Sequence, residues 1–437
     1  MSDSASHVVL LTGATGFVGK VVLEELMRRR AELGVGRVLA LVRASDPEHA
    51  DARLRGDVVT SACFAAHEPG WEKCVEAIAG DLTKPGLGLA AGVRDRVANE
   101  VTHVIHCAAS VEFNLPLAEA TAVNTTGALE ALGIARECRR LASFVDVSTA
   151  YVTAHPKPVR GELLRVEEKL APLPRDPASK YADILAGRVA PARLLGETGH
   201  PNTYTLTKCI AEHLVARRGE QLPVTLLRPS IVSASERTPS PGWIDSGAAF
   251  AAFVIGLATG RLRVVAGDLA ARLDVVPCDA VAHRIVEAAF APPARGELRI
   301  RHAVAGLTGA LQIQLCRERI TAFFEANPVR GSGVNIRYVG NPGVPFALAE
   351  LAYHELPAAK DLVLAKLSRK PALVKAARAG AERLRAVNRD FTYFTHATFD
   401  FQSSVPLAPA LDPANYLDVV CEGVSRNLLS RRRGRSS

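Results

Sequence analysis

Residues 11–20 read Leu11, Thr12, Gly13, Ala14, Thr15, Gly16, Phe17, Val18, Gly19, Lys20 (LTGATGFVGK), and this stretch decides the fold. It closes a short aliphatic run, residues 7–12 (HVVLLT), and opens a segment with apolar residues at helical spacing, residues 17–33. A buried strand that passes through three glycines into a helix is a phosphate-binding turn. Gly13 allows the tight turn, Gly16 lets the backbone approach a pyrophosphate, and Gly19 lets the helix pack closely on the strand. The helix N-terminus at Phe17 then offers N–H groups and partial positive charge to phosphates, with Thr15 in the loop between. Gly13, Thr15, Gly16, Phe17 and Gly19 are therefore expected to hold a dinucleotide.

Strands and helices alternate outward from this turn. Residues 38–43 (VLALVR), 77–82, 102–107 (THVIHC), 143–148 (SFVDVS) and 224–228 (VTLLR) read as further strands. Residues 124–139 and 203–217 read as helices between them. The pattern predicts an α/β fold with a doubly wound parallel sheet of the Rossmann kind. Residues 155–200 and 231–260 interrupt the alternation after strand ends, where such sheets bind ligands, and are expected to be substrate-binding insertions. From about residue 305 the spacing turns helical, with Pro371 expected to split residues 358–384 into two helices. Two domains are predicted: residues 1–304 with cofactor and substrate sites, and a helical, basic part over residues 305–437.

The end of the second strand bears on the cofactor. An Asp or Glu there would hold a ribose 2′-hydroxyl, but this chain has Arg43, whose guanidinium suits a 2′-phosphate. NADPH is the expected cofactor. Asp81, after the third strand, can accept from the adenine amino group or cap a turn. Ala108 and Ala109 are small enough for the backbone after the fourth strand to pass close to the cofactor. Tyr204 and Lys208 are four residues apart in NTYTLTK, hence on one face of a helix, where a cation can lower a phenol and hold the cofactor ribose. Tyr204 is the one tyrosine of seven with a lysine at that spacing. Thr149, and with less reason Ser148, ends the fifth strand with a hydroxyl that can bind a carbonyl oxygen beside Tyr204.

Composition limits the partners. The 53 basic and 45 acidic residues give a net charge of +8, and residues 301–437 hold all of the excess. A neutral body with a basic end argues against nucleic acid as a partner. Residues 366–389 carry a net charge of +7, with apolar residues at helical spacing after Pro371. That stretch suits an anionic membrane surface or CoA phosphates, and equally a solvated helix face. The same holds for the cluster of Arg431, Arg432, Arg433 and Arg435. The eight cysteines form no CxxC pair, no metal motif occurs, and the polar N-terminus lacks a signal-peptide pattern. A cytoplasmic protein is expected, with peripheral membrane contact as a further expectation.

Several segments together resemble one family. TGATGFVGK, GDLTKPGLGL, VSTAYV, PNTYTLTK, LLRPSIV, SPGWID and LDVVPCD, in this order, are similar to the fatty acyl-CoA reductases of the male-sterility type. These belong to the extended short-chain dehydrogenase/reductase superfamily. Residues 370–375 (KPALVK), 391–401 (FTYFTHATFDF) and 412–429 are similar to that family's C-terminal "sterile" domain. The resemblance implies NADPH-dependent reduction of a fatty acyl-CoA thioester to a primary alcohol through an aldehyde. It implies Tyr204, Lys208 and Thr149 as the reacting constellation, with Pro229 of LLRPSIV among the cofactor contacts. Alternatives kept open are an acyl group delivered on a carrier protein, a reaction that stops at aldehyde, and a catalytically silent NADP-binding scaffold.

Overall fold

A computed structural model describes residues 6–155, 160–329, 334, 336–340, 343–368 and 370–430. The aliphatic runs form one seven-stranded sheet. Its strands are β1 (His7–Thr12), β2 (Val35–Arg43), β3 (Val75–Gly80), β4 (His103–His106), β5 (Ser143–Val147), β6 (Val224–Pro229) and β7 (Leu298–Ala303). All pair in parallel, in the order 3-2-1-4-5-6-7. Six strands fall where the hydrophobic runs predict them. β7 is absent from the expectation because Arg299, Arg301 and His302 break up the apolar run LRIRHA. As an edge strand it pairs on one side only, so it can carry these charges.

Both sheet faces are covered. Helices α1 (Phe17–Arg28) and, near the end of the sheet, Cys278–Phe290 pack on one face, over Val9, Leu11, Val145 and Val147. Helices α2 (Gly127–Glu137) and α3 (Thr203–Arg218) cover the other, over Leu10, Val104, Phe144 and Leu226. The helix Cys278–Phe290 is α4. Because β1 sits between β2 and β4, the order of strand addition reverses beside it, and the strand ends there open a crevice at the glycine turn.

The C-terminal part contributes α5 (Leu356–Leu367), α6 (Pro371–Thr395) and α7 (Pro413–Val424). Pro371 is the first residue of α6, where its missing N–H costs nothing. Residues 231–266 and 305–429 share one apolar core, in which Phe250, Phe253 and Val254 meet Ile320, Phe324, Leu417 and Val420. The C-terminal part therefore packs through the second insertion. Tyr416 donates its hydroxyl hydrogen to the carbonyl of Ala234 at 2.8 Å. Gly242 has φ +76°, and a side chain on it would meet the Val419 carbonyl at 2.9 Å, so SPGWID lies against α7.

Candidate active site

The glycine turn is built as its residue types require. Gly13 has φ +78°, and a Cβ there would lie 2.8 Å from the Ala108 nitrogen. A Cβ on Gly19 would lie 1.9 Å from the Gly13 carbonyl oxygen, so α1 packs directly on the turn. Gly16 precedes α1, and among the described residues no side chain caps that helix start, which leaves its first N–H groups for a ligand. Thr12 accepts from the Ala108 N–H at 3.2 Å and holds the Ala108–Ala109 backbone under the turn. This concave, uncapped cradle fits the pyrophosphate of a nicotinamide dinucleotide.

Arg43 and Asp81 stand at the ends of neighbouring β2 and β3; against burial, the bonds from Thr83, then Lys84 and Arg43, hold the Asp81 carboxyl below its ordinary value. Asp81 Oδ1 accepts from the Thr83 N–H at 2.9 Å and from its hydroxyl at 2.8 Å, so this oxygen caps a turn. Sequence reasoning passes over Arg53, which donates to the Arg43 carbonyl at 2.7 Å. Thr15 lines a polar cavity of about 430 Å³ with Lys20, Arg53, Ser61, Trp243 and Asp245. Trp243 stacks on Phe17 at 5.6 Å, and Lys20 meets Asp245 at 2.5 Å, so SPGWID closes over the start of α1. Pro229 ends β6, buried, opposite Ala303.

Ser148 and Thr149 follow β5, and α3 faces them. Asn202 caps α3 by accepting from the Thr205 N–H at 2.9 Å, which places Tyr204 and Lys208 in the first two turns. The Thr149 hydroxyl accepts from the Tyr151 N–H at 3.3 Å and lies near enough to the Tyr204 phenol to act on it, so these two predicted residues are brought together. Ser148 Oγ is buried and makes no such bond. Lys208, 1% exposed, turns its Nζ to the Val147 carbonyl at 2.7 Å. Burial, not Lys208, governs the phenol: it pushes Tyr204 up to about 12, with Thr149 acting the other way. The phenol thus stays protonated at neutral pH and can donate. The expectation that Lys208 lowers it is not realised, because the ammonium points at the strand.

Other groups escape sequence reasoning. Asn124, fully buried, accepts from the Ser110 N–H at 2.9 Å and donates to the Thr207 hydroxyl at 3.1 Å, tying the cofactor loop to α3. Phe113 lies 6.0 Å from the Tyr204 ring and 5.9 Å from Phe394 of α6. Tyr151 meets Phe394, Phe399 and Phe401 edge-on. Residues 391–401 thus put an aromatic wall next to Thr149 and Tyr204. Asp279 accepts from the N–H groups of Glu236, Arg237 and Thr238, at 2.9 to 3.0 Å, and fixes the loop before SPGWID. A motif could flag these aspartates and aromatics, but not the contacts they make.

The family model of the male sterility protein matches residues 11–285. "Fatty acyl-CoA reductase wat" of Drosophila melanogaster is 29% identical over 90% of this chain and 75% of that protein. "Fatty acyl-CoA reductase 1" of Gallus gallus is 31% identical over 79% of this chain, which spans 66% of that relative. The terminal R domain of the myxalamid PKS-NRPS pathway superposes with a TM-score of 0.65 at 22% identity. That likeness covers 99% of this chain and 92% of the domain.

Proposed function

From the premise that the chain belongs to the male sterility protein family, we propose that it reduces fatty acyl-CoA thioesters with NADPH to primary alcohols through an aldehyde. The observation that carries this reading is the Thr149–Tyr204 hydroxyl pair beside the uncapped glycine turn. Relatives named fatty acyl-CoA reductase support the substrate class. Bound in the cradle of Gly13, Gly16, Gly19, Ala108 and Ala109, NADPH supplies the hydride. Arg43 and Arg53 would take its 2′-phosphate, and Lys208 would turn from Val147 to its ribose. Thr149 and Tyr204 donate to the oxygen that becomes negative as the thioester carbonyl is reduced. The hemithioacetal collapses, releasing CoA. The aldehyde is reduced in a second round, and Tyr204 gives its proton to the alkoxide.

The test uses purified protein, NADPH or NADH, a ladder of acyl-CoA chain lengths, and mass spectrometry of products. Alcohol with two NADPH consumed per molecule is expected. Aldehyde alone would shorten the reaction, turnover only of carrier-bound acyl groups would change the donor, and no turnover with any thioester would leave a scaffold. Arg43→Ala is expected to raise KM for NADPH about tenfold, through loss of one charge-assisted contact, and to leave NADH use little changed. Equal effects on both cofactors would remove Arg43 from the phosphate site.

The same reading extends to a peripheral membrane contact by the C-terminal part. Val344, Leu348, Leu356, Val363, Leu364 and Leu367 are each more than half exposed. Four of the chain's 11 lysines, Lys360, Lys366, Lys370 and Lys375, stand among or beside them. Among the described residues no helix is long and apolar enough to cross a membrane. Exposed leucines flanked by lysines suit the interface of an anionic bilayer, where the acyl substrate and the alcohol partition. The contact thereby extends from residues 366–389 to the arm before them, while the Arg431–Arg435 cluster lies outside the described residues. The protein is expected to float with vesicles of phosphatidylcholine and phosphatidylglycerol at low salt. Leu364→Glu with Leu367→Glu is expected to abolish this and to spare turnover of a soluble, short-chain acyl-CoA. A protein that ignores such vesicles would refute the contact.

A further inference from the structure

Under α3 the sheet carries a polar row, of which the proposed reaction uses only the hold of Thr12 on the Ala108 backbone. Thr12, His106 and Asp146 stand in register on β1, β4 and β5. All three are fully buried, on the face that also carries Leu10, Val104 and Phe144. Thr12 Oγ1 lies 2.9 Å from His106 Nδ1. Neither carboxylate oxygen of Asp146 makes a hydrogen bond with any described residue.

Charge balance identifies what Asp146 serves. From α3, Lys208 and Glu212 reach the same layer, each 1% exposed. Glu212 is taken by Arg228 of β6 through two bonds, at 2.8 and 2.5 Å, and that pair is neutral. Among the described residues the one side-chain bond of Lys208 goes to the uncharged Val147 carbonyl. A buried ammonium needs an opposite charge, which a carbonyl does not provide. The other titratable groups around the layer are neutral. Burial holds His106 down to about 3 and pushes Cys107 and Tyr204 up to about 12. Asp146 is the carboxylate left for Lys208 among the described residues.

We infer that Asp146 is a positioning residue of this site: its carboxylate is the buried counter-ion that holds the Lys208 ammonium beneath the cofactor ribose. The inference rests on the role given to Lys208 above. Burial raises the Asp146 carboxyl to about 6, and Lys208 acts in the opposite direction. Below that pH the carboxylate is protonated and Lys208 loses its partner. Cofactor affinity and the reductive rate then fall together, as an acid limb.

The experiment measures NADPH affinity, by fluorescence titration, and single-turnover reduction from pH 5 to 9.5. Wild type is expected to show the acid limb near pH 6. Asp146→Asn, which keeps shape and removes charge, is expected to lose this limb. Asp146→Glu is expected to restore the acid limb. A profile for Asp146→Asn that matches wild type after scaling would overturn the inference and leave Asp146 a structural residue. If that variant does not fold, wild type decides: NADPH affinity flat from pH 5 to 8 overturns it too. The titration needs no turnover, so it separates failure here from failure of the acyl-CoA reading.

Discussion

Replacing Tyr204 by phenylalanine is expected to lower kcat for acyl-CoA reduction by about 10²–10⁴-fold, with little change in KM. The ring keeps its place beside Phe113, so binding surfaces survive and only the hydroxyl is lost. Burial holds the phenol protonated up to about pH 12, which suits a group that donates a proton during reduction. Two steps depend on it: stabilising the first oxyanion and protonating the alkoxide after the second hydride. Thr149→Val should be the milder change, because Thr149 donates to the same oxygen without supplying the final proton. Steady-state kinetics with stopped-flow NADPH oxidation reads both steps. Near-normal turnover by the phenylalanine variant would remove Tyr204 from the chemistry. A phenol protonated this far up also means that an alkaline fall in rate below pH 10 belongs to another group.

What sequence reveals here follows from what is local. The glycine turn is a contiguous motif whose residues act on one another, so Gly13, Gly16 and Gly19 can be read before any fold is known. Tyr204 and Lys208 are one helical turn apart, and a helix alone puts them on one face. β7 was hidden because its register is set by β6 and its edge position tolerates charge. Arg53, Phe113, Asn124 and Phe394 were hidden because their roles depend on partners far along the chain. Phe394 comes near the reacting groups only through α6, well over a hundred residues after Tyr204. The direction of Lys208 is the sharpest example. Spacing puts it beside Tyr204, but the carbonyl of Val147 and the carboxylate of Asp146 lie on another element, and they decide where its charge is held.

The largest expected effect on stability is at Glu212. Glu212→Gln is expected to destabilise the fold by about 3–5 kcal/mol, since it leaves the Arg228 guanidinium buried without its opposite charge. Arg228 is 0% exposed, and its further contact, to the Glu167 carbonyl at 3.4 Å, is long and uncharged. Glu212 lies one turn past Lys208 on α3, so the layer under the catalytic helix would be disturbed as well. Urea unfolding checks this as a lower midpoint at unchanged slope. The double variant Glu212→Met with Arg228→Met separates two explanations. If the pair only solves its own burial problem, two apolar residues of similar volume should restore most of the stability, because no charge is then stranded. If the pair also sets the charge balance that leaves Asp146 to Lys208, the stable double variant should still show a displaced acid limb. Removing a neutral pair leaves the net charge of the layer unchanged but takes the Glu212 carboxylate away from Asp146. That carboxylate raises the Asp146 carboxyl, so the limb should move to lower pH. Stability recovered with the limb unmoved would assign the pair to folding alone.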